Sequence, residues 1–162
     1  MSGGDVSVVE GQVLDWLSGQ SEAMQALLAQ LVNIDSGTRN KAGVDQVGAT
    51  ISGFLDRHGV GFDIIANDTF GNAIRASVGT PGDRNILLMG HRDTVFPDGE
   101  AQRRPFKTDG ARGYGPGCAD MKAGLVMNSF VVAALKQFGG APAPVVALYT
   151  ADEEIGSPSS RA

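Results

Sequence analysis

One pattern in the second half of the chain limits the fold more than any other. Residues 85–90, NILLMG, form a continuous apolar run, and residues 145–151, VVALYTA, form another. Between them, residues 121–138 place Leu125, Val126, Met127, Phe130, Val131, Val132, Leu135 and Phe138 nearly all round a helix, which Gly139 ends. Strand, long helix, strand is a crossover unit. It demands a parallel strand pair with the helix on one face, and hence an α/β fold with a mixed or parallel sheet flanked by helices. A run such as NILLMG is expected to be buried on both faces.

The first half supplies the flanking elements. Residues 21–34 carry an apolar stripe (Met24, Leu27, Leu28, Leu31, Val32) that predicts a helix with Ser21 as its cap, and residues 9–17 add a helical turn or two. Val44, Val47, Ile51, Phe54, Leu55 and His58 predict a second amphipathic helix, stopped by Gly59. His58 falls in its last turn, where a cation is mildly favourable. Alternation at Phe62–Ile64 and at Ile74–Val78 predicts two strands, and Asp109-Gly110 predicts a small hairpin. Residues 91–105 read as a polar loop.

The 162 residues, 42% apolar and 19% charged, suffice for one packed core. A net charge of −5 speaks against nucleic acid or an anionic membrane as partner, since both need a basic face. The single cysteine, Cys118, leaves no internal disulfide and no thiolate cluster. The first residues lack a basic stretch followed by an apolar one, and no run of about 18 apolar residues is present. A cytoplasmic location without a membrane span is therefore expected.

Polar residues then fall where such a sheet places its ligands, at the carboxyl ends of the strands. His91 and Asp93 follow the first apolar run; Asp152, Glu153 and Glu154 follow the second; Asp120 precedes the long helix. Taken singly, each has an ordinary explanation: a hydrogen-bonded loop, a solvated acidic pair, a helix cap. Gathered at one edge, one imidazole and several carboxylates repel one another unless a cation joins them. Histidine with carboxylates and no cysteine suits zinc, manganese or cobalt. Asp93, two residues beyond His91, can accept its second ring N–H and set the tautomer. Of the adjacent Glu153 and Glu154, one can ligate metal and the other take a proton from bound water.

The stretches GHRDTVFP, GYGPGCADMKAG and YTADEEIGS resemble, in order and spacing, the motifs of the co-catalytic di-zinc peptidase superfamily of glutamate carboxypeptidases, aminoacylases and succinyl-diaminopimelate desuccinylases. LVNIDSGTRNKAGVDQVG and RRPFKTDGARGYGPG are similar to the bacterial glutamate carboxypeptidase group within it. The resemblance implies that His91 binds one zinc, Asp120 bridges two, Glu154 binds the other, Glu153 is the general base and Asp93 orients His91. It also implies a cis peptide after Asp120, a small peptide or N-acyl amino acid as substrate, and a homodimeric parent. The expected activity is carboxypeptidase cleavage releasing a glutamate-like residue. An aminoacylase or desuccinylase specificity and a non-catalytic binding module are the alternatives. The family's remaining zinc ligands and its dimerisation domain lie downstream of Glu154. Residues 1–162 are thus expected to form the N-terminal part of one catalytic domain. By itself that part should bind metal weakly, hydrolyse little and self-associate through uncovered surfaces.

Overall fold

A computed structural model describes residues 5–160. Three helices come first, α1 (Asp5–Ser18), α2 (Ser21–Val32) and α3 (Lys41–Arg57). Strands β1 (Gly61–Ile65), β2 (Ala73–Val78) and β3 (Ile86–His91) follow, then the short helix α4 (Glu100–Arg103) and a hairpin of β4 (Lys107–Asp109) and β5 (Arg112–Tyr114). Helix α5 (Ala123–Phe138) and strand β6 (Val145–Thr150) complete the crossover unit. The main sheet is mixed, in the order β1-β2-β6-β3. Strand β3 pairs with β6 in parallel, with His91 opposite Thr150, whereas β1–β2 and β2–β6 are antiparallel.

The core lies between one face of this sheet and the helices. Ile74, Ala76, Val145, Ala147 and Tyr149 pack there against Leu125, Val126, Phe130 and Val132 of α5 and against Val47, Ile51 and Leu55 of α3. The Tyr149 hydroxyl meets Ser129 Oγ at 3.1 Å, so both buried hydroxyls are satisfied. Gly90 permits the close approach of α5 to β3: a Cβ there would stand 2.7 Å from Leu125 and 3.0 Å from Met121.

Several expectations are corrected. The NILLMG run is not buried on both faces. It is the edge strand β3, and Leu87 and Met89, on the face away from α5, are 53% and 54% exposed. A continuous apolar run cannot distinguish a central strand from an edge strand whose outer face is bare. Ser21 is the first residue of α2, and the cap position is Gln20, whose side chain makes no capping bond. The turns at residues 9–17 belong to a 14-residue helix, and the polar loop contains α4. His58 serves packing rather than the helix dipole. Its ring lies against Phe54 and Trp16, and burial, aided by Arg57, lowers its pKa. Residues Cys118–Phe138 are long and apolar enough to cross a bilayer by length and composition alone, although Asp120, Lys122, Asn128, Ser129 and Lys136 interrupt the apolar run. In the fold, α5 buries one broad side against the sheet and the other helices.

Candidate metal centre

Helix α5 does not begin at Met121. Residues Cys118–Lys122 form a wide π-type turn, closed by Lys122 N–H donating to the Gly117 carbonyl at 2.9 Å, with Gly117 at φ +68°. Asp120 and Met121 are non-helical inside it, and their peptide bond is cis. The turn presents Asp120 to the carboxyl edge of the sheet, where its side chain is 79% exposed.

Three chain segments meet at that edge. His91, at the end of β3, is buried; its Nδ1 lies 3.0 Å from the Asp93 carbonyl oxygen and 3.3 Å from Asp93 Oδ1. Both neighbours only accept, so Nδ1 carries the proton and Nε2 faces outward. There Nε2 meets Asp120 Oδ1 at 3.0 Å and Glu153 Oε2 at 3.7 Å. The ligand atoms of His91, Asp120 and Glu154 all lie within 4.8 Å of one another. Burial pulls the His91 pKa down, but hydrogen bonds to Asp93 and Asp120 outweigh it and push the value up to about 9. Burial, with neighbouring carboxylates, raises the Glu154 pKa although the His91 cation opposes this. A proton on His91 thus provides the positive charge that the carboxylates require. A divalent cation would do so more fully, and the donors, one imidazole and two carboxylates, are of the kind such ions take.

Asp93 is the anchor beneath this edge. It is fully buried and accepts from Thr38 Oγ1 at 2.7 Å, Glu153 N–H at 3.1 Å and Glu154 N–H at 3.2 Å. Burial alone would raise its pKa; hydrogen bonds from His91, Thr38 and the two backbone N–H groups hold it below the ordinary carboxylate value. Asp93 therefore fixes both the ring of His91 and the short 3₁₀ turn Glu153–Ile155 that carries the acidic pair. Asp152 lies outside the ligand group. It is buried, and its Oδ2 accepts from Ser159 N–H at 2.7 Å, bracing the loop that follows.

Sequence reasoning missed three residues that support this edge. Thr38 lies in the SGTRN stretch, read only as a loop. It reaches Asp93 because Gly37 bridges Thr94 and Thr94 N–H donates to the Ser36 carbonyl. Arg92, between His91 and Asp93, is buried and donates to the carbonyls of Val44, Asn72 and Thr150. It ties β3 to α3 and β6, and burial lowers its pKa to about 10. Lys122 is buried and donates to the Ile34 carbonyl at 2.8 Å, which fixes the far side of the Asp120 turn. Burial lowers its pKa to about 8 against the opposing charge of Asp35. The signal available for the two cations was their position, next to the candidate ligands in HRD and DMK.

A mixed α/β sheet with histidine and carboxylates converging at its carboxyl edge defines a candidate divalent-metal centre of the hydrolytic kind. Comparison with known proteins agrees. Residues 87–162 match peptidase family M20/M25/M40. Carboxypeptidase G2 of a Pseudomonas species is 32% identical over 147 residues, covering 88% of this chain and 35% of that protein. A putative succinyl-diaminopimelate desuccinylase, DapE, of Mycobacterium tuberculosis is 34% identical over 112 residues, 68% of this chain and 29% of that protein. Among solved structures, human carnosine dipeptidase 1 shares the fold, with TM-score 0.74 at 19% identity over 94% of this chain and 36% of its own. The chain spans about a third of the length of the relatives it matches. Its second half thus carries a peptidase family M20/M25/M40 domain match, and the chain is homologous to carboxypeptidase G2 and DapE.

Proposed function

We propose that the whole protein is a di-zinc amide hydrolase of the carboxypeptidase kind, releasing a glutamate-like residue from a small peptide or N-acyl amino acid, and that the centre described above is its catalytic core. The carrying observation is the cluster of His91, Asp120 and Glu154 with ligand atoms within 4.8 Å. In this reading His91, through Nε2, Asp120 and Glu154 would hold the metal. Bound metal would polarise the scissile carbonyl and lower the pKa of water toward neutrality. Glu153, half-exposed at the same edge, takes the proton of the attacking water on its carboxylate and returns it to the leaving amine. Asp93 keeps the proton of His91 on Nδ1, leaving Nε2 free to ligate.

The likeness to DapE supports a second reading, removal of a succinyl group from an amine, by the same residues. The two differ in which side of the scissile bond bears the recognised carboxylate. A homodimeric assembly belongs to this proposal for the whole protein. Glu153→Ala is expected to lower kcat by about 10²–10⁴-fold while zinc content stays that of the wild type. Loss of metal in that variant would show that the roles given to Glu153 and Glu154 are wrong. Turnover of glutamyl against succinylated substrates separates the two readings.

A further inference from the structure

Asp120 and Glu154 of the centre line a groove made of three adjoining clefts, while His91 and Glu153 line a further cleft of about 480 Å³ that shares Asp120. The middle one, about 290 Å³, is lined by Asp120, Glu154, Val95 and Phe96. On one side it shares Val95, Phe96 and Glu154 with a cleft of about 800 Å³. On the other it shares Gly115, Cys118 and Ala119 with a cleft of about 540 Å³. The two outer clefts differ in charge. The larger is lined by Arg39 and Lys41 but also by Asp98, and Lys41 is already paired with Asp45 at 2.8 Å. The smaller is lined by Arg103, Arg104 and Lys107, with no acidic residue in its lining among the described residues.

Those cations are held in place. Glu100 is 8% exposed and receives both arginines: Arg103 Nε and Nη2 at 2.7 and 2.6 Å, and Arg104 through Nε. Arg104 also lies over the Phe96 ring, 5.0 Å from its centre, and Lys107 stands 5.8 Å over Tyr114. One buried carboxylate thus fixes two guanidinium groups without cancelling both charges, and Lys107 adds a third cation with no acidic partner among the described residues. Such an arrangement is poised for an anion, because the ordering of the arginines has been done in the free protein.

We propose that this cleft is a substrate subsite, and that Arg103, Arg104 and Lys107 select substrates bearing a carboxylate that lies beyond the Asp120 side of the centre. The proposal rests on the hydrolase reading above and adds the site that recognises acidity. It gives the groove a direction: the acidic group lies at the Lys107 end.

The test uses the whole protein loaded with zinc and four matched amides. These carry a carboxylate or the corresponding carboxamide on either the acyl or the amine side of the scissile bond. For one of the two placements, Lys107→Glu should reduce the carboxylate-over-carboxamide preference in kcat/KM by about tenfold, mainly through KM, since reversal removes an attraction and adds a repulsion. Lys107→Arg should restore it. Lys136→Glu, the same charge change on the exposed end of α5, should leave the preference as in the wild type. An unchanged preference in Lys107→Glu, or an equal change in Lys136→Glu, overturns the proposal. If the wild type hydrolyses none of the four, the hydrolase reading fails by itself. The subsite is then judged by calorimetry with glutarate, whose affinity should fall about tenfold in Lys107→Glu. Equal glutarate binding in the two proteins, or inorganic phosphate binding as tightly as glutarate, overturns it.

Discussion

Two carboxylates touch the same imidazole from opposite sides, and their surroundings differ in nearly every respect. Behind His91, Asp93 is fully buried and accepts from a hydroxyl and two backbone N–H groups as well as facing the ring. In front, Asp120 is 79% exposed, and His91 is its only side-chain hydrogen-bond partner among the described residues. The inner carboxylate is satisfied by protein and organises three segments. The outer one is left with most of its acceptor capacity unused, as the proposed ligand role requires. A single histidine thus divides a structural region from a chemical one.

Changes on the inner side should act on folding. Asp93→Ala removes the shared acceptor of Thr38, Glu153 and Glu154 and is expected to cost about 3 kcal/mol. Chemical denaturation measures this, and a loss below about 1 kcal/mol would break the distinction between the two carboxylates. Thr38→Val keeps the shape and deletes one donor, for an expected loss of about 1–2 kcal/mol with metal affinity lowered roughly 10–100-fold. Thr38→Ser should recover most of both. If Ser and Val behave alike, the hydroxyl is not what positions Asp93.

The outer side should behave in the opposite way. Asp120→Asn is expected to change stability by less than about 0.5 kcal/mol, because the side chain is mostly in water. Zinc affinity should nevertheless fall by more than the roughly 100-fold that a partner outside the ligand group is worth. The same substitution sharpens the reading of His91. Its pKa is raised above the ordinary 6.5 to about 9, so the proton-linked stability of the metal-free protein is complete below 6.5 and is lost as pH rises through about 9. Asp120→Asn removes one hydrogen bond that raises this value. An NMR titration of the His91 ring in the metal-free protein should therefore move to lower pH, while Thr38→Ser should not move it.

The order and packing of the crossover unit were legible, though not the start of its helix, because a helix apolar nearly all round and two apolar runs leave a chain few ways to bury them. The parallel pairing of β3 with β6 and the delivery of His91, Glu153 and Glu154 to one edge followed from that. Thr38 was not legible. It is 55 residues from Asp93, and only the bridge from Gly37 to Thr94 brings the two together. The bare outer face of β3 was not legible either, since Leu87 and Met89 have the same apolar chemistry whether covered or exposed. His91 and Glu154 were found from their positions after strands and Asp120 from its position before the long helix, but the wide turn that exposes Asp120 has no periodic signal.

By itself, then, the amino-acid order determined the elements whose burial is encoded in local periodicity, and the polar residues that strand ends must carry to one edge. The tertiary structure decided which carboxylate is sunk beneath His91 and which is held out toward water. It also decided that Glu100 gathers two arginines beside the groove. These outcomes depend on contacts between segments distant in sequence. The free energy of a buried carboxylate is set by the donors that surround it, and no local pattern records them.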